Sequence, residues 1–205
     1  MDPTTPTIEL WFDFASNYSY LAVMRIEALA DAAGVRVEWK PFLLGPIFRS
    51  FGWSDSPFVL QKEKGEYTWK DMARQCAKYG IPWRMPSRFP RLSVLPARVM
   101  LAAGDAPWAT PFAKRMMLAN FRDDREIGER EPNERALLDL GLPAAEILER
   151  AGSEAVKSAL REQTEVARRR RVFGAPTFFV RGEMYWGNDR LEDALGDARA
   201  GRPPR

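Results

Sequence analysis

Ser16 stands at the end of a short apolar run, Ile8-Glu9-Leu10-Trp11-Phe12-Asp13-Phe14, and just ahead of Asn17-Tyr18-Ser19-Tyr20-Leu21. A residue placed there meets backbone N–H groups that a helix start leaves unpaired, and the positive end of the helix dipole. The same features pull thiols at helix starts below their free pKa of about 8.5. The segment therefore suits holding an anionic sulfur, with the Ser16 hydroxyl as donor. It does not suit a serine nucleophile, because the chain has no histidine and no lysine adjoins Ser16 to take its proton. A plainer reading, in which Ser16 only caps the helix, uses the same residues. Far along the chain, Gly174-Ala175-Pro176-Thr177 leads into Phe178-Phe179-Val180. A cis Ala175–Pro176 bond would turn the Ala175 N–H and C=O toward a ligand, which could pair with them as a strand does. Asp189 and Arg190 open a terminal helix, where they could meet an ammonium and a carboxylate; capping, with Glu192 as the partner, accounts for Asp189 equally well.

Composition narrows the chemistry. The absence of histidine excludes a histidine triad and nearly every histidine metal site, so no metal is expected. The lone cysteine, Cys76, excludes an intramolecular disulfide and a CxxC pair; it lies in a helical pattern and reads as a buried structural thiol. Any thiol chemistry must then use a sulfur from another molecule. A net charge of +3 is modest, and the run Arg168 to Arg171 reads as a solvated helix end, so no nucleic-acid partner is expected. No basic-then-apolar leader and no membrane-length apolar run are visible, which makes a cytoplasmic location the expectation.

Those candidate residues need elements to position them. Residues 8–14 read as a central strand, followed by a helix capped at Ser16 or Asn17 that ends at Gly34. Residues 35–40 give a second strand, completing a βαβ unit. From Pro41 to Pro90 the chain is rich in proline, glycine and aromatics, with one helix over 68–79. Helices are predicted at 94–103, 108–121, 134–140, 144–151 and 153–171. Strands return at 177–180 and 184–186, and Asp189 starts the last helix; residues 201–205 read as a frayed tail. This order predicts an α/β fold, a thioredoxin-like core with a long all-helical insertion. Core residues 1–45 and 171–205 would enclose an insertion domain over 46–170.

Four blocks, taken in order, resemble the 2-hydroxychromene-2-carboxylate isomerase family, a DsbA-like branch of the thioredoxin superfamily related to kappa-class glutathione transferases. They are Phe12-Asp13-Phe14-Ala15-Ser16-Asn17-Tyr18-Ser19-Tyr20-Leu21-Ala22; Lys40-Pro41-Phe42-Leu43-Leu44-Gly45-Pro46; Lys64-Gly65-Glu66-Tyr67 with Asp71 and Arg74; and Phe173 to Val180 with Trp186-Gly187-Asn188-Asp189-Arg190-Leu191. The resemblance implies glutathione as cofactor, a homodimer, and an isomerase that interconverts 2-hydroxychromene-2-carboxylate and trans-o-hydroxybenzylidenepyruvate or a related aromatic compound. It implies that Ser16 is the catalytic residue at the glutathione sulfur. Ala175 and Pro176 would meet the cysteinyl unit. Lys64, Asp189 and Arg190 would hold the charged ends, and Phe42, Leu43, Leu44 and Gly45 would border the pocket. Phe48, Trp53, Trp83, Arg84 and Phe89 supply candidate walls and a carboxylate partner for an aromatic acid. Two positions depart from the family pattern: Asn17 replaces the usual proline after the serine, and Leu92 replaces a common asparagine. The alternatives are a kappa-like glutathione transferase or peroxidase, and a glutathione-binding protein without catalysis.

Overall fold

The computed structural model describes residues 5–200; the predicted frayed tail at 201–205 lies outside them. Strand β1 (Thr7–Phe12) leads into helix α1 (Asn17–Ala33) and strand β2 (Arg36–Pro41). Strands β3 (Thr177–Val180) and β4 (Glu183–Trp186) come from the other end of the chain and complete one sheet of order β2-β1-β3-β4. β1 and β2 are parallel, with Leu10 opposite Trp39, and β1 and β3 are antiparallel, with Leu10 opposite Phe178. The two distant segments singled out in the sequence thus belong to neighbouring strands.

The period of two along β1 sorts its side chains between two interiors. Ile8, Leu10 and Phe12 join the large core beside α1, whereas Trp11 faces a smaller one with Phe42, Ile47, Ala167, Val172 and Phe179. Both faces of the central strand are covered, which is why its sequence is a nearly unbroken apolar run rather than an alternating one.

Between the two sheet-forming ends lie α2 (Leu44–Ser50), α3 (Pro57–Leu60), α4 (Lys62–Tyr79), α5 (Val94–Ala103), α6 (Ala109–Phe121), α7 (Arg130–Leu138), α8 (Ala144–Ala151) and α9 (Glu154–Arg169). Their buried residues, among them Val99, Phe112, Met116, Met117 and Leu148, join the same large core as β1 and α1. Helix α9 packs on the other face, where Thr164 Oγ1 accepts from Leu43 N (3.3 Å) and Gln163 Nε2 donates to Pro41 O (2.5 Å). These two bonds fix the chain as it leaves β2. Cys76 is buried, and burial pushes its thiol up to about 12.

Three readings of the sequence need correction. Helices α2 and α3, and the first turn and a half of α4, fall where only proline- and aromatic-rich chain was expected; Pro46 and Pro57 sit within first turns, where a missing N–H costs nothing. Helix α7 begins four residues earlier than predicted, at Arg130 rather than Glu134. The capping box at Asp189 does not form: Asn188–Arg190 is a 3₁₀ turn preceding α10 (Leu191–Ala200), and Glu192 pairs with Arg25 of α1 instead.

Gly65 in α4 faces the Phe58 backbone so closely that a Cβ would collide with the Phe58 carbonyl oxygen. Gly65→Ala is expected to cost about 1–3 kcal/mol through forced separation of α3 and α4. Gly196, exposed within α10 with open space around it, should gain about 0.5–1 kcal/mol as alanine. Thermal melts of the two variants should therefore move in opposite directions.

Candidate functional site

The turn between β1 and α1 is built around two side chains. Ser16 is extended (φ −83°, ψ 120°), and its Oγ accepts from Ser19 N at 3.1 Å, capping α1. Asp13, buried beneath it, accepts from Ala15 N (2.9 Å) and Leu44 N (2.7 Å). One carboxylate thereby joins the Ser16 turn to the start of α2. Burial pushes the Asp13 carboxyl above its ordinary value, and the hydrogen bonds from Leu44, Ser93 and Ala15 only partly offset this.

The second half of the site is the loop before β3. Ala175–Pro176 is a cis peptide, and Ser16 Oγ donates to Ala175 O at 3.0 Å. Thr177 Oγ1 donates to Gly174 O (2.9 Å), and Gly187 N donates to Pro176 O (3.0 Å). Gly174 is required here, because a Cβ would run into the Trp186 indole.

Both segments open onto a cavity of about 1040 Å³. Ligand sites commonly span about 300–1,000 Å³, so there is room for a small peptide and a second small molecule together. Ser16, Ala175, Leu43, Leu44, Gly45, Lys64, Asp189 and Arg190 all lie on its wall. Two expected wall residues do not. Phe42 is fully buried on the far face of the sheet, its ring 6.1 Å edge-on from Trp11, because the strand's alternation turns it away from Leu43. Pro176 is buried behind Ala175.

Among the expected aromatic walls, Phe48, Trp53 and Phe89 line the cavity. Trp83 does not; it stacks at 6.1 Å on both Trp69 and Phe121. Arg84 is also outside, 3.7 Å from Asp124. Leu92 lies on the wall, 77% exposed, and a Cβ on Gly128 would come within 2.8 Å of its own Cβ.

Charge in the cavity is selectively neutralised. Arg190 pairs with Asp189 (3.1 Å) and Asp193 (2.9 Å). Asp71 accepts from Tyr18 OH (2.8 Å), tying α4 to α1. Lys64, 5.9 Å from the centre of the Phe58 ring, and Arg49 make no ion pair among the described residues. They are therefore the cations most open to a ligand carboxylate.

Sequence reasoning missed Arg91 and Asn120. Arg91 is buried against the cavity, with its guanidinium on Asp124, Glu126 (3.2 Å) and Asn120 Oδ1 (3.0 Å). Asn120 Nδ2 then donates to Phe14 O (2.9 Å), so the relay ends at the Ser16 turn. No motif marks this relay, because its members come from three separate segments. The Ser87 N–H, then Arg91, hold the Asp124 carboxyl down to about 2.

The arrangement fits a small anionic thiol: a helix N-terminus and a hydroxyl for sulfur, a fixed backbone edge for a peptide unit, and open cations for carboxylates. No group of three or more potential metal-ligating side chains occurs among the described residues, and no helix there is long and apolar enough to cross a membrane.

Comparison with known proteins identifies the family and the fold. A family model for a DSBA-like thioredoxin domain matches residues 7–197. A 2-hydroxychromene-2-carboxylate isomerase from Sphingobium xenophagum is 31% identical over 92% of this chain and 95% of its own length. Glutathione S-transferase kappa 1 from Rattus norvegicus is 25% identical over 94% of this chain and 90% of its own. A solved structure of a 2-hydroxychromene-2-carboxylate isomerase superposes with a TM-score of 0.84 at 28% identity, covering 93% and 94% of the two chains.

The raised pKa of Asp13 makes a pH prediction. The folded state binds this proton more tightly than the unfolded state, so Asp13 lowers stability as pH rises from 3.8 through its folded value, and no further beyond it. Urea unfolding of wild type and Asp13→Asn across pH should show the wild-type advantage shrinking over that interval; a difference independent of pH would contradict it.

Proposed function

The chain belongs to the DSBA-like thioredoxin domain family and, within it, to the 2-hydroxychromene-2-carboxylate isomerases, and from that premise we propose that it is a glutathione-dependent isomerase of an unsaturated aromatic pyruvate. The substrate would be 2-hydroxychromene-2-carboxylate or a near relative, converted to its trans-o-hydroxybenzylidenepyruvate counterpart. The supporting observation is the 3.0 Å bond from Ser16 Oγ to Ala175 O, which brings a helix mouth and a strand-like backbone edge to one cavity wall.

Glutathione, when bound, supplies a nucleophilic sulfur whose reversible addition to the conjugated double bond makes that bond free to rotate. The residues of this chain do the rest. Ser16 turns its proton from Ala175 O toward the sulfur, while the N-terminus of α1 favours the anion. The Ala175 backbone pairs with the peptide, and Lys64 and Arg190 hold its charged ends. Arg49 takes the carboxylate of the aromatic acid, whose ring packs against Phe48, Trp53, Phe89 and Leu92. Holding both molecules in one orientation converts an encounter into a reaction within a complex.

Ser16→Ala should leave glutathione bound but return its thiol toward about 8.5 and lower kcat by about 10²–10³-fold. The direct test follows product formation from 2-hydroxychromene-2-carboxylate with and without glutathione. Isomer formed only with glutathione, which is recovered intact, supports the reading. A stable glutathione adduct without isomer would assign the site to a transferase, and glutathione binding without any turnover would make it a binding protein.

A further inference from the structure

Among the described residues, three buried side-chain polar atoms have no hydrogen-bond partner: Asn17 Nδ2, Arg98 Nε and Asn133 Oδ1. Asn17 alone of these lines the large cavity. It is fully buried at the first residue of the 17-residue helix α1, directly after Ser16. Its Oδ1 accepts from Tyr18 N at 3.0 Å, which identifies Nδ2 as the end left over.

Leaving such a donor unmatched is unfavourable, and buried polar groups are paired in the great majority of cases. The neighbouring hydroxyl is in the opposite condition. Ser16 Oγ already accepts from Ser19 N and donates its only proton to Ala175 O. Ser16 can reach a ligand only by giving up a bond, whereas Asn17 Nδ2 has no bond among the described residues to give up.

Building on the glutathione reading, we propose that Asn17 is a binding residue for the anionic sulfur, donating from Nδ2 alongside the Ser16 hydroxyl. The sulfur is the favoured acceptor because Asn17 adjoins Ser16 at the helix mouth, where negative charge is stabilised. The carboxylates have other partners, Lys64 on α4 for glutathione and Arg49 on α2 for the aromatic acid. A donor from Asn17 adds a side-chain hydrogen bond to the one from Ser16 and favours sulfur in its ionised form.

Two variants separate this role from a structural one. Asn17→Asp keeps the acceptor for Tyr18 N and removes the donor; Asn17→Ala removes both. The ultraviolet absorbance of the thiolate, followed against pH, gives the pKa of reduced glutathione bound to the full chain. That pKa should rise by about one unit in Asn17→Ala and further in Asn17→Asp. Affinity for S-methylglutathione, which has no thiolate, should change less than about threefold. In the unsubstituted protein, the Asn17 side-chain amide resonances should follow the same titration, so the test does not depend on either variant folding.

Variants that titrate with wild type, amide resonances that ignore the thiol, or an equal loss of S-methylglutathione binding would each overturn the role of Asn17 while leaving the glutathione reading intact. Failure of the wild-type protein to bind glutathione would overturn both.

Discussion

The hydrogen bond between the Ser16 hydroxyl and the Ala175 carbonyl closes a loop of 159 residues and brings two otherwise unrelated turns to a common cavity. It can form only because β1 and β3 are direct neighbours, with Trp11 opposite Thr177 near the ends from which both turns depart. Any change that slipped this register by one residue would rotate Trp11 toward the large core and Phe12 away from it. The apolar sorting of β1 between two interiors therefore protects the site geometry as well as the fold.

Beneath that contact the protein tolerates an electrostatic conflict. Asp13 is a buried acid within three residues of a place suited to an anion, and a charged carboxylate there would oppose a thiolate. Its environment pushes its pKa upward, which reduces the repulsion over the pH range where it keeps its proton. Its oxygens are nonetheless engaged by Ala15 N and Leu44 N, so the residue fixes the distance between the Ser16 turn and α2. The same turn is held from the other side by the relay from Arg91 through Asn120 to Phe14 O. Rigid support on both sides leaves Ser16 and Asn17 free to differ in function: one hydroxyl committed to the fold until it is released, and one amide nitrogen with no partner among the described residues.

Large parts of this architecture were legible from residue types. The β-α-β start, the helix stop at Gly34, the helices at 94–103 and 144–151 and the strand at 177–180 all follow from capping residues and apolar spacing. Helices α2 and α3 were not legible, because each is only 7 or 4 residues long and is flanked by proline, so propensity contributes little and tertiary contacts decide. Asp189 and Glu192 have the spacing of a capping box, but Arg25 of α1 competes for Glu192, and no local pattern reveals a competitor far away in the chain.

Within the candidate site the same division holds. Residue chemistry alone singled out Ser16 and Ala175, which the fold brings together at one cavity wall, and the single cysteine excluded an intramolecular disulfide. It could not distinguish Leu43 from Phe42 as a wall residue, since that depends on which face of the sheet each side chain takes beyond the strand's end. Nor could it separate paired from open cations, since the pairing of Arg190 and, among the described residues, the lack of an ion pair at Arg49 and Lys64 depend on three-dimensional neighbours. Sequence by itself determined which atoms were available for the chemistry. Only the tertiary structure decided which of them still had a hydrogen bond to give, because that depends on every partner the folded chain has already supplied.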